Sequence, residues 1–68
     1  MGLIVRYLRD LADPTSGCWE TLPPPNDLAD AILFAREGYA DVRDYLGATG
    51  FQIIDVAGNV VAEESRPF

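Results

Sequence analysis

The sequence predicts an α+β fold in which one amphipathic helix packs on a small, mainly antiparallel sheet, with the elements in the order β-β-α-β-β. Two extended segments come before a single long stretch of apolar residues at helical spacing, and a hairpin pattern follows that stretch. With 68 residues, the chain is long enough for one domain and too short for two. We therefore expect residues 1–68 to form a single domain.

The first two strands are predicted on either side of a turn-rich segment. Residues 3–9 (LIVRYLR) and residues 18–22 (CWETL) have the β-branched and apolar content of strands. Between them, residues 10–17 gather Asp, Pro, Ser and Gly, which supply turn geometry. We expect a hairpin here, followed by a stiff connector at residues 23–25, because three prolines can continue neither a strand ladder nor a helix interior.

The helix is predicted to begin at Asn26 or Asp27, whose side chains can accept hydrogen bonds from the N–H groups of its first turn, and to end at Gly47. A helix of about 20 residues is about 30 Å long, whereas strands of six residues reach about 20 Å. We therefore expect the helix to overhang the sheet or to bend at Gly38. The residues expected to face the sheet are Leu28, Ala31, Ile32, Ala35, Tyr39, Val42 and Leu46.

A second hairpin is predicted from residues 51–56 (FQIIDV) and 60–64 (VVAEE). Asp55 suits the first position of a type I turn, and Gly58 suits a position that needs positive φ. Four features form a shared outline: Leu8-Arg9-Asp10, a Gly-containing hairpin, Leu22-Pro23, and the spacing of Phe51, Ile53, Asp55 and Gly58. In this outline, the chain resembles a family of short bacterial proteins of unknown function. The resemblance implies the β-β-α-β-β order and assigns no catalytic or binding residue.

Charge and cysteine content exclude several classes of partner. Eleven acids and five bases, all Arg, give a net charge of −6. Because binding to nucleic acid and to anionic membranes depends on clustered Lys and Arg, we expect neither partner. No stretch approaches the roughly 20 apolar residues that span a bilayer. The single cysteine, Cys18, cannot form an internal disulfide, so we expect a cytoplasmic location.

The sequence offers few groups for catalysis. It has no His and no Lys, so general acid–base chemistry near neutral pH lacks its usual side chains, and Cys18 lacks a His to activate it. The GATG segment at residues 47–50 follows a helix instead of preceding one, so its N–H groups are not aimed at a phosphate. Zinc requires more Cys and His than the chain contains, which leaves only metals with oxygen ligands. We predict a non-enzymatic protein without a cofactor.

Two surfaces of the helix are candidates for function. Its outer face carries a stripe of acids, which can be a docking face for a basic partner, a weak divalent-cation site or an ordinary solvated face. Its flank carries apolar residues outside the sheet-facing set, next to a glycine that permits close backbone approach. The acidic face is Asp30, Glu37, Asp41 and Asp44, and the interface candidates are Leu33, Phe34, Gly38 and Tyr45.

Two functions follow from these surfaces. The first is a non-catalytic protein-interaction module or accessory subunit that self-associates as a homodimer, since association often completes a small core. The alternative is an acidic inhibitor of the phage type, whose carboxylates imitate nucleic acid and occupy a basic groove on a target protein. Trp19 is expected to pack in the core or on the sheet face, with a ligand platform as the other interpretation.

Overall fold

The computed structural model describes residues 2–22 and 27–65, and it confirms the predicted order β-β-α-β-β. Each strand begins and ends within two residues of its predicted bounds. The proline connector at residues 23–25 and the cap candidate Asn26 lie outside the described residues. The elements are β1 (Ile4–Leu8), a 3-10 turn (Pro14–Ser16), β2 (Gly17–Thr21), α1 (Leu28–Leu46), β3 (Gly50–Ile54) and β4 (Val60–Ser65).

The four strands form one antiparallel sheet in the order β2-β1-β3-β4. β1 and β3 are therefore central, and β2 and β4 are the edges. β1 pairs with β3 in an uninterrupted register from Ile4↔Ile54 to Leu8↔Gly50. Each outer pair contains one register shift, between Tyr7 and Leu8 on one side and between Ile53 and Ile54 on the other.

The core lies between α1 and one face of the sheet. Side chains alternate along a strand, so Val5 and Tyr7 of β1 lie on the same face as Phe51 and Ile53 of β3. All four are at most 1% exposed. α1 contributes four buried side chains, Ala31, Ala35, Tyr39 and Val42.

Three other residues were predicted to face the sheet, and they behave differently. Ile32 and Leu46 are half-buried and pack against the core. Leu28, in contrast, is 37% exposed and is not part of the core cluster. It is the first helical residue, so it belongs to the end of α1 and not to the turns that pack on β1 and β3.

The ends of α1 and the second hairpin form as their local sequences predict. The Asp27 side chain accepts a hydrogen bond from the Asp30 N–H at 3.0 Å. Gly47 has a left-handed φ of 76°, and its N–H donates to the carbonyl oxygen of Arg43. In the turn between β3 and β4, Gly58 has φ 87° and donates to the carbonyl oxygen of Asp55 at 3.0 Å. These bonds satisfy backbone groups that helix ends and turns would otherwise leave unpaired.

Gly38 does not interrupt the helix, because α1 continues without a break from Leu28 to Leu46. It makes room for a tyrosine of the sheet instead. A Cβ added at Gly38 would lie 2.8 Å from the Tyr7 hydroxyl oxygen. That hydroxyl donates to the carbonyl oxygen of Ala35 at 2.7 Å, and the ring packs edge-to-face on Phe51 with 6.0 Å between centroids. We predicted that Gly38 permits close approach to the helix backbone, and the group that approaches it is the side chain of Tyr7 in β1.

Candidate functional site

A groove lies between one flank of α1 and the edge strand β2, and we call it the α1–β2 groove. Its volume is about 390 Å³. Such a volume is within the range of sites that bind small molecules or a few side chains of a partner. The lining residues come from β1, β2 and α1, and they are Tyr7, Trp19, Thr21, Phe34, Gly38, Asp41, Val42, Tyr45 and Leu46.

The register of the first hairpin places two residues of β2 in this groove. Thr21 pairs with Val5, and Trp19 pairs with Tyr7. Residues opposite each other in an antiparallel pair point to the same face of the sheet. Because Val5 and Tyr7 face the helix, Trp19 and Thr21 face it as well. They form the wall of the groove on the sheet side.

The helix supplies the opposite wall. Gly38, Asp41 and Tyr45 follow one another at spacings of three and four residues, which places them on the same side of an α-helix. Phe34, one turn before Gly38, lies at the N-terminal end of this row; it is half-buried and packs against the core. The wall is thus aromatic at both ends, with a glycine and a carboxylate between them.

Two of the four aromatic side chains that line the groove are largely uncovered. Trp19 is 53% exposed and Tyr45 is 84% exposed. Trp19 lies on the sheet face, as predicted, but it is not part of the core cluster. A contiguous exposed aromatic surface on a small domain is typical of an interaction site, whereas isolated apolar residues are ordinary. The exposure of these two residues favours a binding role for the groove.

The groove brings together three of the four predicted interface residues, namely Phe34, Gly38 and Tyr45. The fourth, Leu33, is 53% exposed and does not line the groove. Each step along an α-helix turns the side chain by about 100°, so Leu33 points away from the row that contains Phe34. Leu33 is therefore separate from the groove, and its role as an interface residue stays a prediction.

All four acids of the predicted acidic face are exposed. Within the described residues, however, their surroundings differ. Asp44 accepts a hydrogen bond from the Arg43 Nε at 2.9 Å, and Asp41 is the only carboxylate that lines the groove. Asp30 and Glu37 lie outside the groove, and neither forms an ion pair with a described residue.

The arginines of the described residues contact other parts of the chain and leave Asp41 unpaired. Arg9 donates to the carbonyl oxygen of Leu46 at 2.7 Å, which satisfies a group at the end of α1. The other three form ion pairs with carboxylates. These pairs are Arg6 with Glu20, Arg36 with Glu64, and Arg43 with Asp44.

The groove contains little chemistry beyond binding. Burial raises the pKa of Tyr7 to about 12, so its hydroxyl is neutral at physiological pH and is held by Ala35. Cys18 is half-buried, and its thiol donates to the Tyr7 carbonyl oxygen at 3.5 Å. Across residues 2–22 and 27–65, no three His, Cys, Asp or Glu side chains are grouped so that they could hold a metal ion.

A comparison of this chain with protein-family models, curated proteins and solved structures finds no match. The resemblance to short bacterial proteins of unknown function therefore stays a prediction. Within the part of the chain that the structure describes, no helix is both long and apolar enough to cross a membrane.

Proposed function

We propose that this chain is a non-catalytic protein-interaction module that binds a partner polypeptide in the α1–β2 groove. The observation that carries the proposal is the placement of two exposed aromatic residues, Trp19 and Tyr45, in one groove with Asp41, whose carboxylate forms no ion pair with a described residue. Tyr and Trp are enriched in interfaces because they bury large apolar areas and also hydrogen-bond. The core includes neither residue, so a partner can cover both without disturbing the fold.

Charge defines the chemistry of the partner. Covering Asp41 without a cation would leave a desolvated carboxylate, which is unfavourable. The described arginines already have partners within the chain, and the whole sequence carries a net charge of −6. The occupant that fits is therefore a segment of another polypeptide that brings an apolar side chain for the aromatics and a cationic side chain for Asp41.

The same charges argue against a second copy of the chain as the occupant. A homodimer through this groove would bring together two molecules that each carry −6, with an Asp41 on both sides. Like charges at an interface oppose association. A cationic partner is therefore a better occupant than the homodimer that the sequence suggested.

An acidic inhibitor is the second candidate, favoured by the exposure of all four carboxylates on the outer face of α1. Asp44 is already paired with Arg43, which weakens the negative stripe. The two candidate functions predict different effects of substitutions at Asp30 and Glu37, which lie outside the groove. Replacing both by their amides should weaken binding to a basic target if the stripe is the binding surface. The same change should leave binding in the groove unaltered.

The remaining assignments belong to the same proposal. A chain with a charge of −6 and no Lys is poorly suited to bind phosphates, so nucleic acid is not the proposed partner. With a single cysteine, the chain cannot form an internal disulfide, and we propose a reducing, cytoplasmic location.

Photo-crosslinking in the source cell tests the proposal. A photoreactive residue is placed at Trp19, at Tyr45, or at Val56, which is 78% exposed in the turn between β3 and β4 and serves as the control. We expect one discrete crosslinked polypeptide from the first two positions, lost on Asp41→Asn, and none from Val56. Mass spectrometry should locate the crosslink beside an apolar residue and a Lys or Arg of the partner.

Other outcomes of the crosslinking would contradict the proposal. The absence of a product from both groove positions, or an equal product from Val56, would remove the groove as the binding surface. A product with twice the mass of the chain would identify a second copy and overturn the cationic partner.

A further inference from the structure

We infer that the segment bound in the α1–β2 groove is an extended strand that pairs with the outer edge of β2 and carries an apolar residue and an arginine two positions apart. This inference rests on the proposed function and adds the conformation and sequence pattern of the partner.

β2 is an open edge within the described residues, because it pairs with β1 alone. An edge strand presents unpaired N–H and C=O groups that can accept a further strand. Proteins block such edges with Pro, Lys or inward-pointing charges, and Gly17–Thr21 contains no Pro and no Lys. Its one charged residue, Glu20, is paired with Arg6 on the face opposite to the groove.

The other edge of the sheet is less suited to a partner strand. β4 carries two acids, Glu63 and Glu64, and both are bound by neighbours. Glu64 accepts two hydrogen bonds from Arg36, and Glu63 accepts one from the Gln52 side chain at 2.8 Å. An apolar groove adjoins β2, so a strand added there would gain side-chain contacts in addition to backbone hydrogen bonds.

The dimensions of the two walls predict the spacing of the partner's side chains. Alternate residues of a strand point to the same face and lie about 6.6–6.8 Å apart. Asp41 and Tyr45 are four residues apart on a helix, which corresponds to an axial rise of about 6 Å. The separation of the two helix positions, about 6 Å, is thus close to the separation of positions i and i+2 on a strand, about 6.6–6.8 Å.

The carboxylate and the tyrosine together favour arginine over lysine in the partner. A guanidinium group can form two parallel hydrogen bonds with the Asp41 carboxylate. Its flat face can at the same time stack on an aromatic ring such as that of Tyr45, which an ammonium group does less well. The preferred pattern is an aromatic or branched aliphatic residue at i and an arginine at i+2, or the reverse.

Peptide selection tests this inference with a defined probe. Random seven-residue peptides displayed on phage are selected on the wild-type chain and, separately, on the Asp41→Asn/Tyr45→Ser variant. The enriched peptides are then synthesised and titrated. Trp19 is the single tryptophan, and it lies in the groove, so its fluorescence reports binding. We expect enrichment of the i, i+2 pattern on the wild type alone, and about tenfold weaker binding of these peptides to Asp41→Asn, equivalent to about 1.4 kcal/mol.

Two N-methylated versions of the best peptide distinguish strand pairing from simple filling of the groove. In an added strand, only alternate amides face β2. Methylating the amides that face β2 should abolish binding. Methylating the amides that point away from β2 should leave the Kd within about threefold of that of the unmodified peptide. If both methylated peptides bind equally well, the bound segment does not pair with β2 as a strand. The same conclusion follows if the selected peptides have apolar residues at the helical spacings of three and four. Either result would leave the proposed interaction at the groove intact. Failure to enrich any peptide over the variant also overturns the strand, and the crosslinking experiment then decides the proposed function separately.

Discussion

The two flanks of α1 meet the same sheet in different ways. Toward β4, Arg36 donates two hydrogen bonds to the Glu64 carboxylate, at 2.7 and 2.6 Å, and Ala62 packs against the core. Toward β2, a groove of about 390 Å³ remains, and two aromatic residues beside it, Trp19 and Tyr45, are exposed. One flank is closed by contacts within the chain and the other is open. Contacts within the chain thus fix one flank of α1 and leave Trp19 and Tyr45 on the other flank exposed.

Tyr7 marks the boundary between the two flanks. Its ring belongs to the core through Phe51, and its hydroxyl reaches the helix backbone at Ala35, beside Gly38. Substitutions at this boundary should therefore change stability. Substitutions farther out on the open flank should change binding with little effect on stability.

The largest effect is expected for Gly38→Val. The new Cβ would approach the Tyr7 hydroxyl oxygen to 2.8 Å, so the ring of this buried tyrosine must shift and its hydrogen bond to the Ala35 carbonyl oxygen is strained or lost. Overpacking costs about 1–3 kcal/mol, and loss of a buried hydrogen bond adds about 1–3 kcal/mol. Urea unfolding should show a loss of about 3 kcal/mol.

The matched control for this substitution removes the clashing hydroxyl. In a double-mutant cycle, Tyr7→Phe should recover part of the stability lost in Gly38→Val, because the two changes act on the same contact. Purely additive losses would mean that the clash does not involve the Tyr7 hydroxyl.

The second effect is a loss of stability at alkaline pH. Burial raises the pKa of Tyr7 to about 12, above its ordinary value of 10.0. The stabilisation from the neutral hydroxyl is therefore fully present below about pH 10 and is lost as pH rises through about 12, by at most about 2–3 kcal/mol. Unfolding measured from pH 8 to pH 12 should show this slope in the wild type. Tyr7→Phe should lack it, and an equal slope in both proteins would refute the assignment.

A smaller effect is expected on the closed flank. Arg36 lowers the pKa of Glu64 from its ordinary value, chiefly through the hydrogen bond between them. This contribution to stability is present above the unfolded pKa near 4.5 and is lost as pH falls through the folded one. At pH 7, Glu64→Gln should therefore lower the free energy of unfolding by less than half as much as Tyr7→Phe does, because exposed ion pairs contribute little to stability. The difference from the wild type should shrink in acid, and a constant difference would contradict the ion pair.

Several features of the fold could be predicted because their causes are local. Asp27 and Gly47 bind backbone groups within a few residues of themselves, and so do Asp55 and Gly58. Capping and turn geometry depend on short stretches of sequence, which a single sequence displays. The helix and both hairpins therefore follow from the sequence.

The site could be predicted only in part, because its two walls come from distant segments. The spacing of Phe34, Gly38 and Tyr45 along the helix indicated the helix wall. The roles of Trp19 and Thr21 depend on the register of β2 on β1 and on the edge position of β2. Tertiary pairing sets both features, and no short-range pattern encodes them. The alternation of Trp19 with Thr21 was the one signal in the sequence for the second wall.

The central claim is that the open flank of α1 serves binding and is not needed for folding. It is tested most directly by urea unfolding, followed by circular dichroism, of the wild type and the Trp19→Ser/Tyr45→Ser variant, each with and without the selected peptide. Without peptide, the free energy of unfolding of the variant should be within about 1 kcal/mol of that of the wild type, because both substituted positions are exposed. With peptide at about 100 times its Kd, the wild type should gain about 2.7 kcal/mol and the variant nothing. A variant that loses about 3 kcal/mol without peptide, or that gains as much from it as the wild type, would contradict the claim.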